Sequence, residues 1–237
     1  HIFDQAGFSA HKFASNSEAV LELIPEELRA KSLSLGLLTE NSSLSNVKVL
    51  GLIYLSGSDE FTFTFSPKTF DVWTKRKILQ IYPTIFDAQG FLAPFILRAR
   101  KIYQDAIMYC DGWDDKIPDH LKEEWENWLN SAHEHLSTIR IPRCTRKAGD
   151  IIRETIHIFS DACEDGICSV GYRVTKYADG SRYSTLLISK VKVSPLKAQS
   201  MPRLELMAAE LSVKVFLEIR KAHPLPLSFF FWVDATD

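Results

Sequence analysis

TIHIFSDACEDG, residues 155–166, decides how this chain is read. Ile156, Ile158 and Phe159 make an apolar run, and such a run predicts a strand. It ends in Ser160-Asp161-Ala162, and Glu164 and Asp165 follow at once. The question is why carboxylates crowd the end of a strand that looks buried.

The residues downstream supply an arrangement. Strands are expected over 155–161, 168–175 and 183–193, with Gly166 and Asp179-Gly180 at the turns. A helix is expected over 202–222, with Pro202 in its first turn. Leu204, Met207, Ala208, Leu211, Val215 and Ile219 share one of its faces. Pro224 and Pro226 end it, and an apolar strand over 227–234 closes the order β-β-β-α-β. A strand joined through a helix to another strand favours a parallel, right-handed connection. The last strand then lies beside the first, and both end at one edge of the sheet.

Asp161 ends the first of these strands, and Asp234, in Trp232-Val233-Asp234, ends the last. Open α/β sheets place their sites beyond the carboxyl ends of such strands. A third acid, Glu205, lies in the first turn of the expected helix, in MPRLELMAAEL (201–211). Among Leu204, Leu206 and Met207 it must reach an edge or find a cation. Carboxylates held together repel one another, and a hard divalent cation relieves that repulsion. Two such ions, about 4 Å apart, clamp the attacking water and leaving oxygen of a phosphodiester. Taken singly, each acid reads as a solvated side chain. Taken together they fit either a metal-dependent nuclease site or three solvated carboxylates. Glu164, Asp165 and Asp237 read as loop acids and Glu210 as solvated.

The remainder of the chain is of a different make. Residues 1–60 suggest a small α+β unit: a helix over 18–24 capped by Ser17, a strand through Val47, Val49, Leu50 and Leu52, a turn at 56–59, and a return through Phe61, Phe63 and Phe65. Residues 68–136 read as helices. Thr74 caps one carrying Ile78, Leu79, Tyr82 and Ile85, which Pro83 should kink or shorten. Pro94 opens a second, carrying Phe95, Leu97, Ile102, Tyr103 and Ile107. The third follows Pro118, with Leu121, Trp125, Trp128, Leu129, Ala132 and Leu136 at helical spacing. A stripe that regular makes its tryptophans core rather than a base-stacking surface. Residues 137–154, polar and basic, read as a linker.

Composition sets limits. The chain has 237 residues, 46% hydrophobic and 24% charged, enough for one large domain or two small ones. A net charge of −2 gives no strong whole-chain attraction to nucleic acid. Locally, Lys75, Arg76 and Lys77, then Arg98, Arg100 and Lys101, then Arg140, Arg143, Arg146 and Lys147, form basic clusters. These are either solvated faces or phosphate contacts. The four cysteines lack framework or C-x-x-C spacing, and His133 and His135 share no helical face, so no zinc site is expected and a reduced intracellular setting is. No apolar run is long enough to span a membrane. The chain starts at His1 and stops just after the apolar LSFFFWVDATD (227–237), so it is expected to be a piece of something longer.

These stretches resemble a known family. FSDA (159–162), ISKVKVSPLKAQSMPRLELMAAEL (188–211) and FWVDAT (231–236) resemble the ribonuclease H domain of BEL/Pao-type retrotransposon Pol polyproteins. TKRKILQIYPTIFDAQGFLAPFILRARKI (74–102) is similar to the segment just before it, as are GFSAHKFASNSEAVL (7–21) and KVLGLIY (48–54). The resemblance implies an α+β and α/β chain. Residues 1–65 would end a reverse transcriptase palm, 66–136 would be thumb- or connection-like helices, 137–154 the linker, and 155–237 an incomplete ribonuclease H-like domain. It implies Asp161, Glu205 and Asp234 as catalytic ligands of magnesium or manganese, in a two-ion site expected only in the complete domain. It implies that Lys75, Arg76, Lys77, Arg98, Arg100 and Lys101 face an RNA–DNA hybrid or a template–primer duplex. The partners would be that nucleic acid and the rest of the Pol polyprotein, in a cytoplasmic retroelement particle, with no membrane.

The sequence departs from the family pattern in three ways. It holds no Tyr-x-Asp-Asp-type turn, so a polymerase site would lie upstream of His1. A fourth acid, further helices and a further strand would follow the last strand, so little cleavage is expected of this chain by itself. The label of aspartic peptidase sometimes given to this region needs an Asp-Thr-Gly or Asp-Ser-Gly turn, and neither occurs.

Overall fold

The structure is a computed structural model, and it describes residues 5–31, 46–49, 51–223 and 227–234. Leu50, Pro224, Pro226 and Asp237, which enter the expectations above, lie outside them. Among the described residues the chain is a mixed α+β protein with two four-stranded sheets. It divides into two compact units, 1–66 with 133–144, and 67–132 with 145–237.

In the first unit, helix α1 (Glu18–Glu22) is shorter than expected, and Ser17 makes no side-chain cap bond. The single strand expected through 47–52 is instead a hairpin: β1 (Asn46–Val49) pairs antiparallel with β2 (Leu52–Leu55). Gly51, at φ 85°, makes the reversal, a backbone region that glycine enters without steric cost. Next to β2 runs β3 (Glu60–Thr62), and next to β3 runs β4 (Ile141–Pro142). Part of the expected linker is therefore sheet. Arg143 fixes it there by a bidentate bond to Asp59 (2.6 and 3.0 Å), whose Oδ1 also accepts from the Tyr54 hydroxyl at 2.8 Å. The guanidinium holds the Asp59 carboxyl below its usual range.

In the second unit, α2 (Lys75–Ile81) starts at Thr74, whose hydroxyl accepts from Lys77 N. A 3-10 turn with Pro83 replaces its expected continuation. Helix α3 (Ala93–Tyr109) buries Ala93, Ile96, Ala99, Ile102 and Ala106, while Ile107 is exposed. The buried stripe is mostly alanine, which lets a helix approach a sheet closely. Helix α4 (Asp119–His135) buries Leu121, Trp125, Trp128, Leu129 and Ala132, as the spacing requires. Trp125 and Trp128 stack at 5.0 Å, with Phe95 on the far side of Trp128. These tryptophans are core.

The second sheet is built from β5 (Ile151–Ala162), β6 (Gly166–Tyr177), β7 (Arg182–Val193) and β8 (Ser228–Val233), in the order β7-β6-β5-β8. β5 begins inside the expected linker. Its first turn of pairing is secured by Glu154, which accepts twice from Arg146 (2.7 Å each). β8 lies parallel beside β5, from Thr155 opposite Ser228 to Ser160 opposite Val233. Helix α5 (Met201–Ala222) packs on one face, closing Val215 and Ile219 over Ile156 and Ile158. The helices before the sheet share its unit. Arg100 donates to Val191 O (2.8 Å), Gln104 to Ser194 O (2.7 Å), and Ser189 N to Gln89 O (2.7 Å). A Cβ on Gly90 would overlap the Ser189 carbonyl, and Gly90 has φ 75°, so only glycine fits.

Candidate active site

Side chains alternate along a strand, so β5 has two sides. Ile156, Ile158, Ser160 and Ala162 turn to α5. His157, Phe159 and Asp161 turn away from it. Phe159 is opposite Trp232 in the parallel pair, so Asp161 and Asp234 follow on neighbouring strands and on the same side. They line one concavity of ≈ 340 Å³ with Phe159, Cys168, Val170 and Trp232. Both acids are exposed. Asp161 Oδ1 also accepts from the Ala162 amide at 2.7 Å.

Glu205 is placed differently. Helix α5 begins at Met201, one residue earlier than expected, so Glu205 stands beyond the first turn. It is half-buried, next to Leu204, which packs with Ile167 and Ala208 against Ala162. It does not line the concavity. Among the described residues no three His, Cys, Asp or Glu side chains are grouped to hold a metal ion. The donor chemistry does suit a hard cation: two carboxylates share one strand edge with neither His nor a thiolate. Cys168 is a wall of the concavity, and burial pushes its thiol up.

The six expected phosphate contacts all have partners within the protein. Lys75 is 7% exposed and donates to Cys110 O (2.8 Å) and Asp111 O (3.1 Å), a buried structural role. Arg100 is tied to β7 as described. Arg76 binds Asp114 through both nitrogens, Lys77 donates to Val72 O, Arg98 pairs with Glu124, and Lys101 with Asp105. Arg76 and Arg98 pair with their acids at the surface, where water screens such pairs and other anions can replace them, and Lys77 holds a backbone carbonyl.

Sequence reasoning missed the walls of the concavity. Phe159 and Trp232 could have been found by counting two residues back from each acid. Cys168 required the hairpin register, which sets it opposite Asp161.

Comparison with known proteins adds the following. The family described as the Pao retrotransposon-like RNaseH-like domain matches residues 74–235. Among solved structures, a foamy viral protease-reverse transcriptase in complex with dsDNA aligns with a TM-score of 0.43 at 13% identity, covering 82% of this chain. The chain spans 46% of that protein. No curated protein matches.

Proposed function

The chain belongs to the Pao retrotransposon-like RNaseH-like domain family, and on that footing we propose that it is the nuclease region of a retroelement Pol polyprotein, cutting the RNA strand of RNA–DNA hybrids with a divalent cation. The observation that carries this is the meeting of Asp161 and Asp234 in one concavity at the ends of parallel neighbouring strands. Asp161 and Asp234 would hold the cation, with Glu205 of α5 as the third carboxylate of the set. Bound magnesium or manganese supplies Lewis-acid stabilisation of the attacking water and the leaving oxygen. The protein's own part is to hold charge at one place on a rigid sheet and to wall that place with Phe159, Val170 and Trp232. Arg76, Lys77 and Arg98 exchange their surface partners for backbone phosphates, which attract cations whatever the sequence.

The test is a magnesium and manganese titration, followed by heat, with cleavage of the RNA strand of a hybrid as second readout. Weak cation binding by this chain is expected, because magnesium demands a near-octahedral ligand set. Asp161→Asn should abolish that binding while leaving the far-ultraviolet dichroism unchanged, since Asn keeps the shape and removes the charge. Cleavage should be slight in this chain, should rise in the longer polyprotein, and should vanish with Asp161→Asn. A longer protein that is folded, binds hybrid and never cuts it would leave a binding module instead.

A further inference from the structure

Asp161 is the last residue but one of β5, and a strand end is where pairing opens most easily. Beyond it the chain turns back at once. Cys163 and Gly166 exchange both backbone bonds (2.8 and 3.3 Å), and Ile167 returns opposite Ala162. Whatever holds this turn therefore also holds the acid.

The turn is tied to the end of β7. Ser194, just past that end and 6% exposed, donates from Oγ to Cys163 O (2.9 Å) and from its amide to Asp165 O (3.1 Å). Ser194 is tied in turn to α3, because its carbonyl accepts from Gln104 Nε2 at 2.7 Å. Three residues earlier on that helix, Lys101 Nζ stands between Asp105 (2.7 Å) and Asp165 (3.9 Å). Leu97 lies on the turn itself: a Cβ placed on Gly166 would be 2.9 Å from Leu97 Cδ2. Leu97, Lys101 and Gln104 are spaced by four and three residues, so they make one stripe of α3. From α5, Leu204, the neighbour of Glu205, packs with Ile167 on the returning strand.

We propose that Gln104 and Ser194 are positioning residues for the acid pair. Gln104 sets Ser194, Ser194 sets the carbonyls of the turn, and the turn fixes Asp161 for the cation. A helix that precedes the sheet thus governs a site at the sheet's edge. The inference rests on the nuclease reading above and adds to it residues that never touch the cation. Gln104 is half-buried and Ser194 buried, so water competes poorly for their bonds. Groups that orient a metal ligand change metal affinity by about ten- to a hundred-fold, because the ligand's direction matters as much as its charge. Magnesium is the most demanding case, since it requires near-octahedral geometry.

The experiment uses the whole chain. Amide hydrogen exchange is first read by NMR in EDTA, so that no metal enters it. The Ala162 amide donates to Asp161 Oδ1, so its exchange reports the carboxylate's own arrangement. Gln104→Ala and Ser194→Ala should each speed exchange at Ala162 and Gly166 by about ten-fold, and leave Ile156 and Ile158 unchanged. Manganese binding is then read from the relaxation of water protons, with dichroism confirming the fold. Both variants should raise the manganese dissociation constant about ten-fold. Gln104→Lys, which keeps an N–H donor of similar reach, should restore the affinity. Met108→Gln, on the same helix at a position 64% exposed, should change neither readout. Unchanged exchange at Ala162 and Gly166 overturns the proposal. So does faster exchange with manganese affinity unmoved, which makes the tie from α3 structural alone. If the unaltered chain binds no manganese, or Asp161→Asn binds it equally well, the nuclease reading falls, and the exchange result decides by itself whether α3 holds Asp161.

Discussion

The two sides of the second sheet come from the same four strands and have opposite characters. Towards α5, Ile156, Ile158 and Val215 are fully buried and Ile219 is 4% exposed. Away from it, Phe159, Phe230 and Trp232 stay half in water. Polar groups divide the same way. The covered side has its ions at the start of β5, where Glu154 meets Arg146 and the buried Arg173, and Arg173 holds Thr145 and His223. The open side has its acids at the end of β5. The difference teaches that one strand can bury an apolar face and leave rings and acids open on the other, because alternation keeps them apart.

That contrast can be broken, and the largest effect is expected at the ionic end of the covered side. Glu154→Ala should cost about 3–5 kcal/mol in chemical denaturation, because it leaves Arg173 buried without its carboxylate. The pH dependence has a fixed sign. Arg146 holds the Glu154 pKa below its usual 4.5, so this stability is present above pH 4.5 and is lost as pH falls through the lowered folded value. His223 is pushed below 6.5 by burial and by Arg173, so its share begins to be lost as pH falls through 6.5. Glu154→Gln should flatten the acid limb measured by thermal melts against pH.

Next comes the apolar part of that side. Ile158→Ala removes a fully buried side chain under Val215 and should cost about 2–5 kcal/mol, read from the urea midpoint. Gly90→Ala sharpens the comparison from outside the sheet. It forces a left-handed backbone position and an overlap with the Ser189 carbonyl, and it should cost about 1–3 kcal/mol while loosening hydrogen-exchange protection along β7. On the open side the effects should almost vanish. Phe159→Ser, which gives up ring contacts with Tyr172 and Trp232, and Asp161→Asn should each shift the urea midpoint by no more than about 1 kcal/mol. A large loss of stability from either would mean that the open side is structural.

Much of this was legible in the residues. The stripe Leu121, Trp125, Trp128, Leu129, Ala132 marked core, and it is core, because a helical period places those side chains on one face whatever they pack against. The order of strands and helix led to β8 beside β5 and to Asp161 and Asp234 at one edge. Other features were not legible. The basic clusters at 75–77 and 98–101 look alike in sequence, yet Lys75 ends in a pair of carbonyls and Arg76 on an acid. The polar stretch 137–154 looks like a linker, but Arg143 and Arg146 find carboxylates on strands and draw Ile141–Pro142 and the start of β5 into two sheets.

By itself, then, the sequence determined the buried stripes of α4 and α5 and the apolar strands that run up to Asp161 and Asp234, because those follow from periods of two and 3.6 residues within one element. Only the tertiary structure decided which cations are spent inside the protein, and that Phe159, Cys168 and Trp232 wall the two acids while Glu205 stands apart from them. Those outcomes depend on register between segments many residues apart, and a register is settled by packing and pairing energies that no local pattern contains.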